Sequence, residues 1–246
     1  IEWPDNRAGW NKHALAAGME IIKDWRPDVI YATAPPATAL IVADRLSRRT
    51  GIPWVAEMRA LWTDHPYYER SRLRLAVERV WDRLVLSRAD AIVTVSPGWE
   101  KRLRERYRRP VVVAMNGFVA EDFPAAPPPA QRTDGPLRIL FTGHIYTGYR
   151  DPSPLFEAVR RLQLNASDIL IEFVGSKAKV VGEFADRFGL ADVVRVHAAV
   201  PYRRALELQR EADVLLHMQW CDPKENGTIA GKIFDYFGAR RPILGI

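Results

Sequence analysis

The segment LRILFTGHIYTGYRDPSPLFEA, Leu137 to Ala158, passes from an apolar run through a glycine-bearing loop into a helix opened by prolines. Leu137 to Thr142 is almost continuously hydrophobic, as a strand covered on both faces requires. Gly143 ends it, and Pro152 and Pro154 introduce a helix near 154–162. Strand, loop and helix in that order are the repeating unit of a parallel sheet.

The alternation continues in both directions. Downstream come ILIEFVG (169–175), a helix over 178–188, VVRVH (193–197), a helix over 203–210, DVLLHM (213–218), a helix over 230–238 and PILGI at the end of the chain. Upstream lie a helix over 11–25, the strand PDVIY (27–31), a helix over 38–49 stopped by Gly51, and IPWVAE (52–57). A long helix over 71–88, DAIVTV (90–95), a helix over 97–106 and VVVAM (111–115) complete that half. Pro124 to Pro136 holds five prolines and no apolar period, so it reads as a linker. The expected organisation is therefore one Rossmann-like domain over 1–123, a linker over 124–136 and a second such domain over 137–246.

At 246 residues, 48% apolar and 27% charged, the chain is of ordinary globular composition, which excludes a disordered or collagen-like protein. No apolar run is long enough to cross a bilayer. The single cysteine, Cys221, forms no internal disulfide, so the fold does not need an oxidising compartment. A net charge of +6, carried largely by arginine, favours anionic partners without choosing among nucleotide phosphates, nucleic acid and acidic lipid. Nucleic acid is disfavoured, because the aromatics do not interleave with the arginines as a stacking platform would need.

Ligands of parallel sheets sit beyond the carboxyl ends of the strands, where helix N-termini offer free N–H groups to phosphate oxygens. At the first such junction Gly143 would let a ligand approach the backbone. Arg150 could clamp a phosphate oxygen, with His144 as a nearby donor; the alternative is a plain turn with a solvated arginine. Gly175, followed by Ser176 and Lys177, gives a second junction, otherwise a turn with a helix cap. The loop Lys224 to Thr228 and the helix after it offer Glu225, Asn226, Gly227, Thr228 and Ile229 to a sugar or phosphate, with their N–H groups exposed. Lys232 could balance diphosphate charge, and Asp235, about two turns into the helix, could meet a ribose diol. In the first half, Arg59, Trp62, Asp64 and His65 follow a strand and could hold a polar acceptor, or simply pack as a loop. Ser96 either caps the next helix or meets an oxyanion.

Leu73, Val77, Val80 and Leu84 form one stripe of the 71–88 helix, surrounded by arginines. One interpretation packs that stripe on the sheet with a charged outer face. The sharper one is attraction to an anionic lipid surface. Cys221, His217 and Asp222 are too loosely spaced for zinc. No Gly-x-Ser-x-Gly, phosphate-loop or Gly-x-Gly-x-x-Gly pattern occurs.

RPDVIYATAPPATAL, GIPWVAEMRALWTD, ADAIVTVSPGWEKRL, MNGFVAEDF, ILFTGHIYTGYRDPSPLFEA, EADVLLHMQ and ENGTIAGKIFDYFGARRPIL run nearly the length of the chain. In that order they resemble the family-4 nucleotide-sugar glycosyltransferases of the GT-B fold. The resemblance implies two Rossmann-like domains facing across a cleft, both incomplete here. The family's opening strand, part of roughly 90 residues, and its last helices are expected outside this chain. It also implies transfer from a nucleotide-diphosphate sugar to an acceptor hydroxyl, with retention and with neither metal nor cofactor. The setting would be envelope polysaccharide or glycolipid synthesis, cytoplasmic or peripheral on the inner membrane face. Gly143 and Arg150 would lie at the diphosphate, Gly175 and Val200 near the base, Glu225 to Ile229 along the sugar, and Asp235 at the ribose. Arg150, Lys232 and Glu225 would carry the chemistry.

The chain departs from the family pattern at three places. The paired glutamates are replaced by Gly227, with Glu225 displaced by two, and Asp235. His144 replaces an arginine, and Ala60 stands where relatives have aspartate. Two rivals stand beside this reading: a sugar-nucleotide epimerase of the same fold, and a non-catalytic nucleotide-sugar-binding scaffold, which the lost glutamate pair and first strand keep open.

Overall fold

A computed structural model describes residues 3–64, 70–124, 134–146, 148–175 and 177–246. Contacts divide the chain into two units: Ile1–Met115 with Asp222–Ile229, and Asn116–Cys221 with Ala230–Ile246.

The first unit runs α1 (Asn11–Asp24), β1 (Ile30–Ala34), α2 (Ala37–Thr50), β2 (Trp54–Met58), α3 (Arg72–Leu86), β3 (Ala91–Thr94), α4 (Pro97–Tyr107) and β4 (Val111–Val113). The strands form one parallel sheet in that order. Trp54, Met58 and Ile92 from the sheet join Leu40, Leu86 and Leu103 from the helices in its core. β1 lies three residues later than PDVIY suggests. Pairing of Ile30–Ala34 with Trp54–Met58 extends it through alanines and a threonine that sequence alone marks weakly.

α2 ends at Gly51, whose φ of +70° is the left-handed turn that glycine adopts without strain. Its start is capped from a distance: Thr38 N and Thr38 Oγ1 donate to the two carboxylate oxygens of Asp5, at 2.9 and 2.8 Å. Residues 4–7 thereby line one side of a cavity of about 280 Å³, with Ala34–Ala37, Ala60–Trp62 and Arg70 on the others. The cavity lies at the carboxyl ends of β1 and β2. Ser96 caps α4, its Oγ accepting from Trp99 N at 3.3 Å, while the same hydroxyl donates to Gly227 O at 2.5 Å.

α3 overturns the expectation that its apolar stripe faces the sheet. Leu73, Val80 and Leu84 are 78%, 57% and 50% exposed, and the buried face carries Glu78 and Asp82. The reason is pairing. Arg70 and Arg74 both bond the Glu78 carboxylate, Arg74 Nε at 2.8 Å. Thr63 Oγ1 donates to Asp82 Oδ2 at 2.8 Å, and Arg106 stands 3.7 Å from that oxygen. Burial pushes the Asp82 carboxyl above its ordinary range, against the pull of Thr63, Tyr107 and Arg106.

The second unit runs β5 (Leu137–Thr142), α5 (Ser153–Arg161), β6 (Ile169–Val174), α6 (Ala178–Phe188), β7 (Val194–His197), α7 (Tyr202–Glu211), β8 (Val214–His217), α8 (Lys232–Ala239) and β9 (Ile243–Gly245). Its parallel sheet has the order β7-β6-β5-β8-β9. The chain builds outward from β5 to β7 and then returns to β5's other side, which makes the β5/β8 boundary a topological switch point. Ile139 and Phe141 enter one core, with Ile171, Phe173 and Leu216. Leu140 enters the opposite one, with Leu215 and Tyr236. Tyr236 fixes α8 to the switch point: its hydroxyl donates to Leu216 O at 3.2 Å and accepts from Thr142 N at 3.3 Å.

Two boundaries differ from those expected. The second unit begins at Asn116, ahead of 124–136, because Phe123 packs among Leu140, Leu206 and Tyr236. Asp222–Ile229 joins the first unit, where Gly98 approaches Gly227 so closely that a Cβ on Gly98 would lie 2.7 Å from its Cα. Most of the proline-rich stretch, 125–133, lies outside the described residues.

Glu78→Ala leaves two arginines without their buried carboxylate, a loss of about 3–5 kcal/mol. Leu73→Ser, on the outward stripe, changes stability by about 0.5 kcal/mol or less. Urea unfolding of the two variants checks this inversion of α3.

Candidate functional site

The carboxyl ends of β5, β6 and β7 are laced by main-chain bonds. Gly143 N donates to Val174 O at 2.9 Å, and Gly175 N to His197 O at 3.2 Å. Gly175 has φ +155°, and a Cβ there would lie 1.9 Å from Gly143 O. Gly143 has φ +119°, and a Cβ on it would lie 3.2 Å from Lys232 Nζ. Glycine at 175 is therefore a steric requirement, while the positive φ at 143 favours glycine there, and the lysine head comes close to the end of β5.

Lys232 is the first residue of α8, and its ammonium lies 3.5 Å from the centroid of the Phe141 ring. Nζ is out of water, and among the described residues no hydrogen-bond acceptor reaches it. Burial, reinforced by Arg150, pushes its pKa down to about 7. Arg150 is itself only 6% exposed. Its backbone N donates to Tyr146 O at 3.0 Å and its guanidinium lies 5.1 Å from the Tyr146 ring. His217, ending β8, is a third basic group within electrostatic reach. Burial holds it below its ordinary value, and Lys232 and Arg150 push the same way against a hydrogen bond with Gln219. Three basic side chains thus converge on the switch point, where a bound polyanion would meet charge-assisted hydrogen bonds from groups already stripped of water.

Farther along α8, Asp235 receives a 2.9 Å hydrogen bond from the Tyr202 hydroxyl. Burial raises the Asp235 carboxyl, Tyr202 lowers it and Asp122 raises it again. Burial and this bond push the Tyr202 hydroxyl up to about 12. Asp235 sits in the first turn of α8 rather than two turns in, because the helix starts at Lys232.

The structure therefore brings together Gly143, Gly175, Arg150 and Lys232 of the expected residues. His144 is half-buried nearby, edge-on to Tyr146 at 4.7 Å. Val200 packs against the core that holds Leu206 and Tyr236. Ser176 lies outside the described residues, and Lys177 precedes α6 with φ +63°. Glu225 to Ile229 belong to the first unit's contacts. Two N–H groups expected to be exposed there are engaged, Asn226 with Pro223 O at 3.2 Å and Thr228 with Glu225 O at 2.8 Å. Glu225 is buried, which pushes its carboxyl up to about 7.

On the first unit, Arg59 bonds Thr33 Oγ1 at 2.8 Å and Pro35 O at 3.3 Å, and Asp64 pairs with Arg106. Trp62 is packed in the core, where it also lines the 280 Å³ cavity. His65 lies outside the described residues. Sequence reasoning missed Tyr202 and considered His217 only for zinc. The usable signals were an aromatic opening α7 and a histidine closing a strand beside the switch point. Among the described residues no cluster of three His, Cys, Asp or Glu side chains is placed to hold a metal ion. Among the same residues no helix is long and apolar enough to cross a membrane.

Residues 3–117 match the family model of the glycosyl transferase 4-like domain. The chain carries a glycosyl transferase 4-like domain. Solved structures of like fold cover nearly all of the chain, through both units. One is the apo form of the lipopolysaccharide outer core galactosyltransferase WaaB, with 12% identity and a TM-score of 0.64, over 96% of this chain and 60% of that one. Sucrose-phosphate synthase from Thermosynechococcus elongatus has 15% identity and a TM-score of 0.67, over 97% and 61%. A UDP-N-acetylglucosamine 2-epimerase has 15% identity and a TM-score of 0.50, over 88% and 57%. The chain thus spans about 60% of the length of the two transferase-fold structures. No curated protein matches it. The glycosyl transferase 4-like domain and the second unit are the two Rossmann-like sheets of the GT-B fold.

Gly175→Ala pushes a methyl against Gly143 O, and unfolding by denaturant should register a loss of about 2 kcal/mol or more. Lys232→Met acts in the opposite sense. Its folded pKa of about 7 lies below the ordinary 10.5, so between these values the unfolded chain binds more protons and stability rises with pH. The methionine variant should lose that slope and, at neutral pH, melt higher by roughly 2–4 °C, about 1 kcal/mol at this length. Melting curves from pH 7 to 10 check both statements.

Proposed function

We propose that this chain acts as a glycosyltransferase, moving a sugar from a nucleotide-diphosphate donor to an acceptor hydroxyl with retention and without a metal ion. The observation that carries the proposal is the pair of buried cations, Lys232 and Arg150, beside the glycines at the β5/β8 switch point. In the reaction the sugar C1–O bond to the diphosphate breaks, a C1–O bond to the acceptor forms, and the hydroxyl proton leaves with the diphosphate or solvent. Negative charge grows on the leaving oxygen, and preorganised cations in a dry site stabilise such charge most effectively. Lys232 and Arg150 supply them, and Asp235, oriented by Tyr202, takes the ribose diol. Gly143, His144, Gly175 and Val200 border the nucleotide, and Glu225 to Ile229 the sugar. Arg59, Trp62, Asp64 and His65 serve the acceptor side, with a lipid-linked or other envelope glycan as acceptor and the cytoplasm as the compartment.

The epimerase of like fold keeps one rival in view. Consumption of donor sugar that requires an added acceptor separates transfer from epimerisation, which needs none. The first test is a thermal-shift panel of UDP-, GDP-, ADP- and dTDP-sugars. A donor at 100 times its Kd should stabilise the protein by about 2.7 kcal/mol. Asp235→Ala and Lys232→Met should abolish the shift for the one series that gives it, and no shift with any series would overturn the proposal. Because a diphosphate favours the charged lysine, binding should take up a proton at pH 8 and weaken as pH rises further. Calorimetry in two buffers of different ionisation enthalpy reads that uptake, and equal heats would remove Lys232 from the donor contact.

A further inference from the structure

The start of α4 holds a loop that lies 131 residues farther along the chain. Ser96 stands two residues beyond β3 and is only 1% exposed. Its hydroxyl is used twice: the oxygen accepts from Trp99 N, and the proton is donated to Gly227 O. Capping a helix requires only the acceptor half of that pair. The bond to Gly227 therefore serves the loop and not α4.

Packing closes the same contact. A Cβ on Gly98 would lie 2.7 Å from Gly227 Cα, and one on Gly227 would lie 2.7 Å from Trp99 Cδ1. Gly98 stands in the first turn of α4 without a positive φ, so alanine would suit the helix better and only the neighbouring loop excludes it. Gly227 has φ +90°, where glycine is favoured. The loop is also braced from within. Asp222 Oδ1 accepts from Lys224 N at 2.8 Å, Asp222 O from Glu225 N at 2.9 Å, and Glu225 O from Thr228 N at 2.8 Å. Braced in this way, the segment 222–229 moves as one piece, and the piece is anchored at Gly227.

We propose that Ser96 is a positioning residue for the donor sugar: through Gly227 O it sets the loop 222–229, and with it the buried Glu225, in the place where the sugar is received. The role rests on the transferase reading, which gives this loop the sugar. It adds that the loop's geometry is dictated by a hydroxyl at the start of α4 that itself touches no substrate. Groups displaced by about 1 Å can cost a hundredfold in rate, so a loop that must meet a sugar gains from a fixed anchor. Neither Ser96 nor Gly98 belongs to the groups given the diphosphate, which are Lys232 and Arg150 of the second unit. Losing the anchor should therefore spare the nucleotide and penalise the sugar.

Three variants of the full chain provide the test. Ser96→Ala loses both the cap and the anchor, whereas Gly98→Ala keeps the hydroxyl but crowds Gly227. Ser71→Ala removes a comparable cap from α3, where Ser71 Oγ accepts from Arg74 N at 3.3 Å, and leaves the loop alone. Hydrogen exchange of residues 222–229 in the ligand-free protein should quicken roughly five- to tenfold in Ser96→Ala and Gly98→Ala, as loss of one hydrogen bond allows. It should stay at the parent rate in Ser71→Ala. Calorimetry with UDP and UDP-glucose, and with the GDP, ADP and dTDP pairs alongside, gives the second readout. In the first two variants the Kd of the free diphosphate should stay within about twofold of the parent, while that of its glucose ester rises about fivefold or more. Parent-like exchange in both variants would overturn the anchor. Faster exchange with an unchanged ratio of the two Kd values would overturn the positioning role and leave the transferase reading standing. An equal change of ratio in Ser71→Ala would reduce the effect to a lost helix cap and overturn the role as well. Absence of binding to the parent for every pair would overturn the transferase reading and take the sugar out of this role, while the exchange rates still decide whether Ser96 anchors the loop.

Discussion

A lysine ammonium held out of water beside a second cation is the constraint on which the second unit turns. Nothing in the hydrophobic effect favours Lys232 where it stands, and its pKa of about 7 records the cost of the position. The surroundings meet that cost with shape and aromatic charge. The Phe141 face receives the ammonium, Gly143 leaves out a methyl that would crowd it, and Tyr236 holds α8 against the ends of β5 and β8. Removing any of these would let the side chain swing toward solvent. They tolerate a destabilising group at one point of the sheet, as sites that bind charge commonly do.

The first unit manages buried charge in the contrary way. Glu78 and Asp82 are paired within the fold by Arg70, Arg74, Arg106 and Thr63, and these pairs orient α3. Acids paired internally and a lysine Nζ that no acceptor reaches among the described residues therefore distinguish a structural network from a binding one. The same criterion separates Asp235, already bonded by Tyr202 but half open, from Asp64, which is committed to Arg106.

Much of this was legible in the amino-acid sequence because it depends on local pattern. Continuous apolar strands alternating with capped helices specified two parallel sheets, and the glycines at 143 and 175 marked where strands end. The position of Lys232 two residues after Ala230 hid the true start of α8, since Gly231 and Thr228 are equally plausible openers by residue type. α3 was misjudged because an apolar stripe is ordinarily the buried one. Only the partners of Glu78 and Asp82, drawn in from residues 63, 70, 74 and 106, reverse that preference, and no spacing rule encodes contacts over such separations. Tyr202 was invisible for the same reason: its carboxylate partner is 33 residues away. The assignment of 222–229 to the first unit likewise rests on a close approach of Gly98 to Gly227, a tertiary fact.

The cap that Asp5 places on α2 has a practical consequence. Its carboxylate occupies the N-terminal end of a helix at the sheet's carboxyl edge, where dissolved anions would otherwise collect. Being tethered, it competes at an effective concentration on the order of millimolar or above, so ordinary phosphate or citrate buffers should displace it poorly. Asp5→Ala would instead expose Thr38 and widen the cavity over β1 and β2. Variants that differ only at residue 5 would then differ in anion sensitivity, and comparisons of ligand binding between them would be measuring the tether as much as the site.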